Sequence, residues 1–136
     1  MASEPAAKTQ ASDPHARPES AAEPVDFQHL ARYTLGEPEL EREVLELFCS
    51  QSVLYLEQLR TAMSESDWKH AAHSLKGSAR AIGAWRAAQA AERAEALYGE
   101  AVQDEGLAQF RQARIDEIEA SLREAEAFIA SVLDSR

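Results

Sequence analysis

His73-Ser74-Leu75-Lys76-Gly77 is the segment in which residue type and spacing most clearly suggest chemistry. Of the five glycines in the chain, Gly36, Gly83, Gly99 and Gly106 fall where a helix is expected to begin or end. Gly77 alone falls inside a helical run, where glycine costs roughly 0.5–1 kcal/mol relative to alanine. Residues four apart share one face of a helix, so Gly77 removes the side chain that would crowd His73. Lys76, three residues on, flanks the same ring with a positive charge. An imidazole with a pKa near about 6.5 is largely neutral at physiological pH and keeps one free lone pair. Uncrowded and next to a cation, it suits the carriage of an anion such as a phosphoryl group.

The elements that must hold this ring are helical throughout. Asp26 is placed to cap a short helix carrying Phe27, Leu30, Ala31 and Leu35, and Gly36-Glu37-Pro38 reads as a break and restart. A second helix carries Leu45, Phe48, Ser52, Tyr55/Leu56, Leu59 and Met63 in steps of three and four. Ser66 or Asp67 is expected to cap a third, with Trp68, Ala72, Leu75, Ala79 and Ile82 on its apolar side and Gly83 at its end. A fourth runs from about Ala84 to Tyr98 and turns small residues inward, Ala84, Ala87, Ala91 and Ala94. Gly99 and Gly106 bracket a connection to a last helix marked by Ile115, Ile118, Leu122, Ala125, Ile129 and Val132. The expected fold is all-α, an antiparallel up-down four-helix bundle with a short additional N-terminal helix. His73 lies about 100° round from Ala72 and so falls outside the core stripe, on the side shared by His70, Gly77 and Arg80.

Composition narrows the function further. A chain of 136 residues with 45% hydrophobic residues suits one domain with one core. The Pro-, Ala-, Ser- and Glu-rich residues 1–25 contain no aromatic residue and read as a disordered tail, leaving 26–136 as the folded domain. A formal charge of -10 argues against nucleic acid or an anionic membrane as partner. No stretch nears the roughly 18–20 apolar residues of a membrane span, no apolar signal core opens the chain, and a single cysteine suits a reducing compartment. The expected setting is the cytoplasm. Against this acidic background, Lys69, Lys76, Arg80 and Arg86 face only Asp67 between Ser66 and Ala90, which predicts a basic patch around His73. Lysine is scarce, at Lys8, Lys69 and Lys76 alone, so a lysine beside the histidine is pointed: a compact ammonium meets a phosphoryl oxygen as a point charge. His70 and His73 lack the third ligand that a stable zinc site needs, and no metal is expected.

Ala71-Ala72-His73-Ser74-Leu75-Lys76-Gly77-Ser78-Ala79, with Ile82-Gly83-Ala84 after it, resembles the signature of histidine phosphotransfer (HPt) domains. Asp67-Trp68 and the stretch from Gly36 to Phe48 are similar to that family too, and the likeness spans roughly Asp26 to Leu133. It implies that His73 is phosphorylated on Nε2 by the aspartyl phosphate of a receiver domain and passes the group to another receiver. Lys76 would balance charge and Gly77 would give access, while His70, Ser74, Arg80 and Arg86 would serve partner docking. It implies partners among response-regulator receivers, a hybrid histidine kinase being one source of such a domain, with Mg²⁺ on the receiver and no cofactor of this chain's own. One exposed histidine works in a monomer. No nucleotide-binding loop is visible, so autokinase activity is not expected. Two alternatives stand beside this reading: an isolated phosphoacceptor domain of chemotaxis-kinase type, which shares the His-Ser-x-Lys-Gly core, and a helical adaptor never phosphorylated. Kinase dimerisation helices usually place an acidic residue and later a proline after the histidine, where this chain has Ser74 and Ser78.

Overall fold

In a computed structural model of the chain, which describes residues 23–99 and 104–136, all regular structure among the described residues is helical. The elements are α1 (Phe27–Thr34), α2 (Pro38–Arg60), α3 (Glu65–Ile82), α4 (Trp85–Glu95), a 3₁₀ turn (Ala96–Gly99) and α5 (Asp104–Asp134). The expected tail lies outside the described residues up to position 22; Val25, which that expectation included, is fully buried and packs with the core.

Local chemistry accounts for the helix ends. Asp26 caps α1 as its position requires, Oδ1 accepting from the His29 backbone N–H at 3.2 Å. Pro38 opens α2, where its missing N–H costs nothing. The cap of α3 is Ser64 rather than Ser66 or Asp67: its Oγ accepts from the Asp67 N–H at 3.0 Å, which leaves Glu65 and Asp67 in the first turn, where carboxylates suit the helix dipole. Gly83 ends α3 at φ 80, the left-handed cap expected of it. The fourth helix is shorter than its pattern suggests, tightening into the 3₁₀ turn after Glu95, and Gly106 falls inside α5.

Apolar periodicity carries over into burial. Leu45, Phe48, Leu56 and Leu59 of α2, Trp68, Ala72, Leu75, Ala79 and Ile82 of α3, and Ile115, Ile118, Leu122, Ala125 and Ile129 of α5 form the core. The inward face of α4 is all small, with Ala87, Ala88, Ala90, Ala91 and Ala94 buried beside its cap Ala84. Three expected stripe members fall away, Val132 among them, since Leu133 takes the buried place at the end of α5. Met63 lies beyond the end of α2 and is 92% exposed, and Leu35 leaves α1 in a left-handed cap and is exposed, so that Thr34 takes the buried place. Each of α2, α3, α4 and α5 touches the two beside it, and α1 rests on α2 and α3.

Two contacts fix α3 and α4 in register. Trp68 is fully buried, and its indole N–H donates to the Ala94 carbonyl at 2.7 Å, clamping the start of α3 to the end of α4. At the opposite end of α3, the Asp26 N–H donates to the Gly83 carbonyl at 2.9 Å, and Trp85 Nε1 donates to Asp26 Oδ2 at 3.2 Å. A Cβ on Gly83 would stand 2.7 Å from the Asp26 carbonyl oxygen. Gly83→Ala therefore meets both the left-handed penalty, about 1–2 kcal/mol, and this clash. Urea unfolding should show it destabilised by at least that amount; an unchanged midpoint would remove the turn from the account.

Candidate functional site

Along α3 the residues that face the core, Trp68, Ala71, Ala72, Leu75 and Ala79, alternate with an exposed row formed by His70, His73, Gly77 and Arg80. The helical step places these four together, as the sequence predicts. The His73 side chain is 68% exposed. Gly77 is exposed in mid-helix, and a Cβ built on it would have no neighbour within 4 Å. Among the described residues its glycine therefore answers no packing need; what it leaves clear is the space one turn on from the imidazole.

That space belongs to a groove of about 490 Å³ between α2 and α3. His73, Ser74, Gly77 and Ser78 form its α3 wall, and Val44, Leu47, Phe48 and Tyr55 give the α2 wall an apolar surface. Leu47 is exposed and Val44 half-buried, so the groove offers apolar area to whatever approaches His73.

A residue that sequence reasoning missed completes the site. Glu95, the last residue of α4, sets one carboxylate oxygen 2.9 Å from His73 Nδ1 and the other 2.6 Å from Lys76 Nζ. The Trp68–Ala94 clamp holds the adjoining residue, which delivers Glu95 to this position. Partial burial pushes the Glu95 carboxyl up, but the hydrogen bonds and charges of Lys76 and His73 outweigh it and leave it below its ordinary range. Lys76 is only 16% exposed at its side chain, its ammonium turned to this carboxylate. Nothing local in the sequence marks Glu95, since it comes 22 residues after His73 on another helix. The one available signal was its place next to Ala94, mirroring that of His73 next to Ala72.

The expected basic patch is corrected by the same kind of pairing. Lys69 meets Glu65 at 2.9 Å, Arg80 meets Glu92 at 3.8 Å and Arg86 meets Glu124 at 2.9 Å. With Glu95 on Lys76, the four carboxylates come from outside the window that looked basic, three of them (Glu92, Glu95 and Glu124) from α4 and α5, so the surface round His73 is balanced rather than positive. Of the residues expected to dock a partner, Ser74 lines the groove, His70 is exposed one turn before His73 and outside the groove's lining, Arg80 sits at the α4 side of the exposed row, and Arg86 turns toward α5.

The remaining chemical side chains have structural settings. His29 packs edge-on against Trp85 at 4.8 Å and Tyr33 at 5.6 Å, closing the end of the core. Burial, with Glu126 and Glu46 nearby, pushes the Cys49 thiol up and makes it a poor nucleophile. Among the described residues, no group of three or more His, Cys, Asp or Glu could hold a metal ion, and no helix is long and apolar enough to cross a membrane.

Two expectations follow from this geometry. Gly77→Gln should gain helix propensity, raising stability by roughly 0.5–1 kcal/mol in thermal unfolding, because open space receives the new side chain; destabilisation would contradict the open geometry. The Glu95 carboxyl is more acidic folded than unfolded, so its contacts contribute fully above its unfolded value and are lost as pH falls through its folded value. The difference in melting temperature between wild type and Glu95→Gln, present at neutral pH, should close on acidification below the ordinary glutamate value of 4.5.

Comparison with curated proteins and with solved structures gives no match. A family model described as Hpt domain matches residues 43–128, a span that holds most of α2, all of α3 and α4, and α5 as far as Phe128. His73, Gly77, Glu95 and the whole groove lie within it. With more than half of its length matched, and with an exposed histidine on an all-helical frame, the chain belongs to the Hpt domain family, the histidine phosphotransfer modules of two-component systems.

Proposed function

We propose that this protein is a phosphorelay intermediate in which His73 accepts a phosphoryl group from the aspartyl phosphate of one receiver domain and passes it to the aspartate of another. The observation that carries this reading is the exposed His73 imidazole at the edge of an apolar groove, beside a helix-interior glycine that no internal contact requires. An adaptor that was never modified would have no use for that glycine at a cost in helix stability. Residues from Val25 onward act as the transfer unit, an antiparallel up-down bundle with α1 across one end. It works as a monomer in the cytoplasm.

Phosphoryl transfer needs alignment of the nucleophile and relief of charge on the equatorial oxygens. Alignment is supported by α3, whose ends are fixed by the Ser64 cap and the Gly83 turn and whose middle is held by Leu75 in the core. The receiver brings the aspartyl phosphate together with its Mg²⁺, so this chain contributes half of a composite site. Gly77 lets the receiver's loops close on His73. Lys76, paired with Glu95, balances charge beside the ring rather than offering a free cation. The groove takes the receiver's own apolar face, with Ser74 as a polar contact in its wall and His70 as one further along the exposed row of α3. Apolar area, worth about 25 cal/mol per Å² removed from water, does more here than charge steering, because the cations nearby are already paired. No kinase step is assigned to the chain.

Incubation with a phosphorylated receiver should yield an acid-labile, base-stable label on the wild type and none on His73→Gln at equal helicity. Label that persists in that variant would move the acceptor elsewhere. Leu47→Asp, on the exposed wall of the groove, should slow transfer at least tenfold while leaving thermal unfolding within a few degrees of wild type. Transfer at the wild-type rate would rule the groove out as the docking surface.

A further inference from the structure

We infer that the outer edge of α2 selects the partner by charge: a receiver that docks over the leucine row of this helix must carry basic side chains along the border that meets Glu39 and Glu43. This rests on the reading of His73 as acceptor and adds to it the chemistry of the partner's contact face.

A repeat runs along the outer side of α2. Leu40, Val44, Leu47, Gln51 and Leu54 follow one another by four and three, the step that lines side chains up to receive another surface. Leu40, Leu47 and Leu54 are 40%, 56% and 60% exposed. Unlike apolar residues scattered singly, a continuous row of this kind marks a contact surface. Its two borders differ. At about 100° per residue, Val44 and Gln51 lie about 40–60° from Leu47 on the groove side, while Glu43 lies about 40° and Glu39 and Glu57 about 80° away on the other. Across the groove, Ser74, Gly77, Ser78 and Ala81 of α3 carry no charge. The charge on this face is one-sided.

The fold does not neutralise that border. Among the described residues, no ion pair involves Glu39 or Glu43. Glu46 and Glu57 meet Arg42 and Arg60 only at 3.7 and 3.9 Å, and both arginines also turn to α5, Arg42 to the Leu133 carbonyl and Arg60 to Glu119. On α3 and α4, by contrast, carboxylates and cations pair off. Glu39 suits the first turn of α2, but Glu43 lies beyond it. A second copy of this chain offers no basic border to meet these groups, and laid antiparallel it would set acid against acid. A receiver with an acidic border is disfavoured for the same reason. Apolar area gives affinity, whereas unlike charge at the rim gives choice of partner and fixes which way round it lies.

Receiver domains from the same cell, purified singly and phosphorylated, supply the test. The one that labels wild type fastest should label Glu39→Lys/Glu43→Lys at least tenfold more slowly in kcat/KM at equal helicity, the loss falling on KM rather than kcat. Glu39→Gln/Glu43→Gln should fall between, and salt at about 0.5 M, which screens exposed charges, should bring the three proteins together. Glutamates put in place of that receiver's basic border should slow wild type and restore the lysine variant. A lysine variant that keeps the wild-type kcat/KM, or a loss that salt does not remove, would overturn the inference. So would sedimentation of wild type as a dimer that Leu54→Asp dissociates, because a second copy would then cover the row. If no receiver labels wild type at His73, the relay reading fails instead. Titration calorimetry of the same receivers, unphosphorylated, then still decides the edge: affinities in the same order support it, and equal affinities or no binding overturn it.

Discussion

The close approach of α3 to α4 is the constraint from which the rest of the structure follows. Ala87, Ala88, Ala91 and Ala94 offer α3 almost no side-chain bulk, so the two helices meet over a short separation along most of the length of α4. Small faces of this kind pack closely but specify register poorly, because one alanine fits where another does. Register comes instead from two directional contacts, the Trp68 indole on the Ala94 carbonyl and the Asp26–Gly83–Trp85 knot at the other end. Between them, the side chains that flank the alanine face are brought within hydrogen-bond reach: Lys76 and His73 to Glu95, and Arg80 to Glu92. The chemistry of the site is set by a packing decision made underneath it.

The electrostatic character of the molecule follows from the same geometry. A chain of net charge -10 could carry one basic face opposite an acidic one, and the run from Ser66 to Ala90 suggests as much. Folding distributes the excess carboxylates instead: Glu92 and Glu95 from α4, Glu124 from α5 and Glu65 from the turn before α3's own basic run each meet a cation of that segment. Exposed pairs of this kind add little stability, typically about 0–1 kcal/mol. Their consequence is for recognition, since a neutralised surface beside an apolar groove favours contact through shape and buried area over long-range attraction. The Arg60–Glu119–Arg123 set repeats the pattern away from the site.

How much was legible in advance depended on the range of the physics involved. Helix identity, the core stripes of α2, α3 and α5, the Asp26 cap, the Gly83 stop and the exposure of His73 and Gly77 rest on interactions within about four residues. Errors of one or two residues came where two capping candidates competed, as with Ser64 over Ser66, or where a periodic pattern ran past the true end, as with Met63 and Tyr98. Leu35 fitted the apolar step of α1, but its place is taken by the left-handed cap, and the chain exposes it rather than continue the helix. The groove was not legible, because it needs Val44 and Leu47 set against Gly77 and Ser78 from another helix.

By itself the sequence determined a chain of helices, a histidine on the solvent side of one of them and a glycine that keeps its neighbourhood clear. Spacing on a 3.6-residue helix is enough for that, since each judgement concerns one helix and water. Only the tertiary structure decided what stands around the imidazole: a carboxylate on Nδ1, an ammonium holding that carboxylate, and an apolar wall in front. Those partners come from separate helices, and their meeting depends on interhelical distance and register, which follow from side-chain volume and two long-range hydrogen bonds rather than from any local pattern.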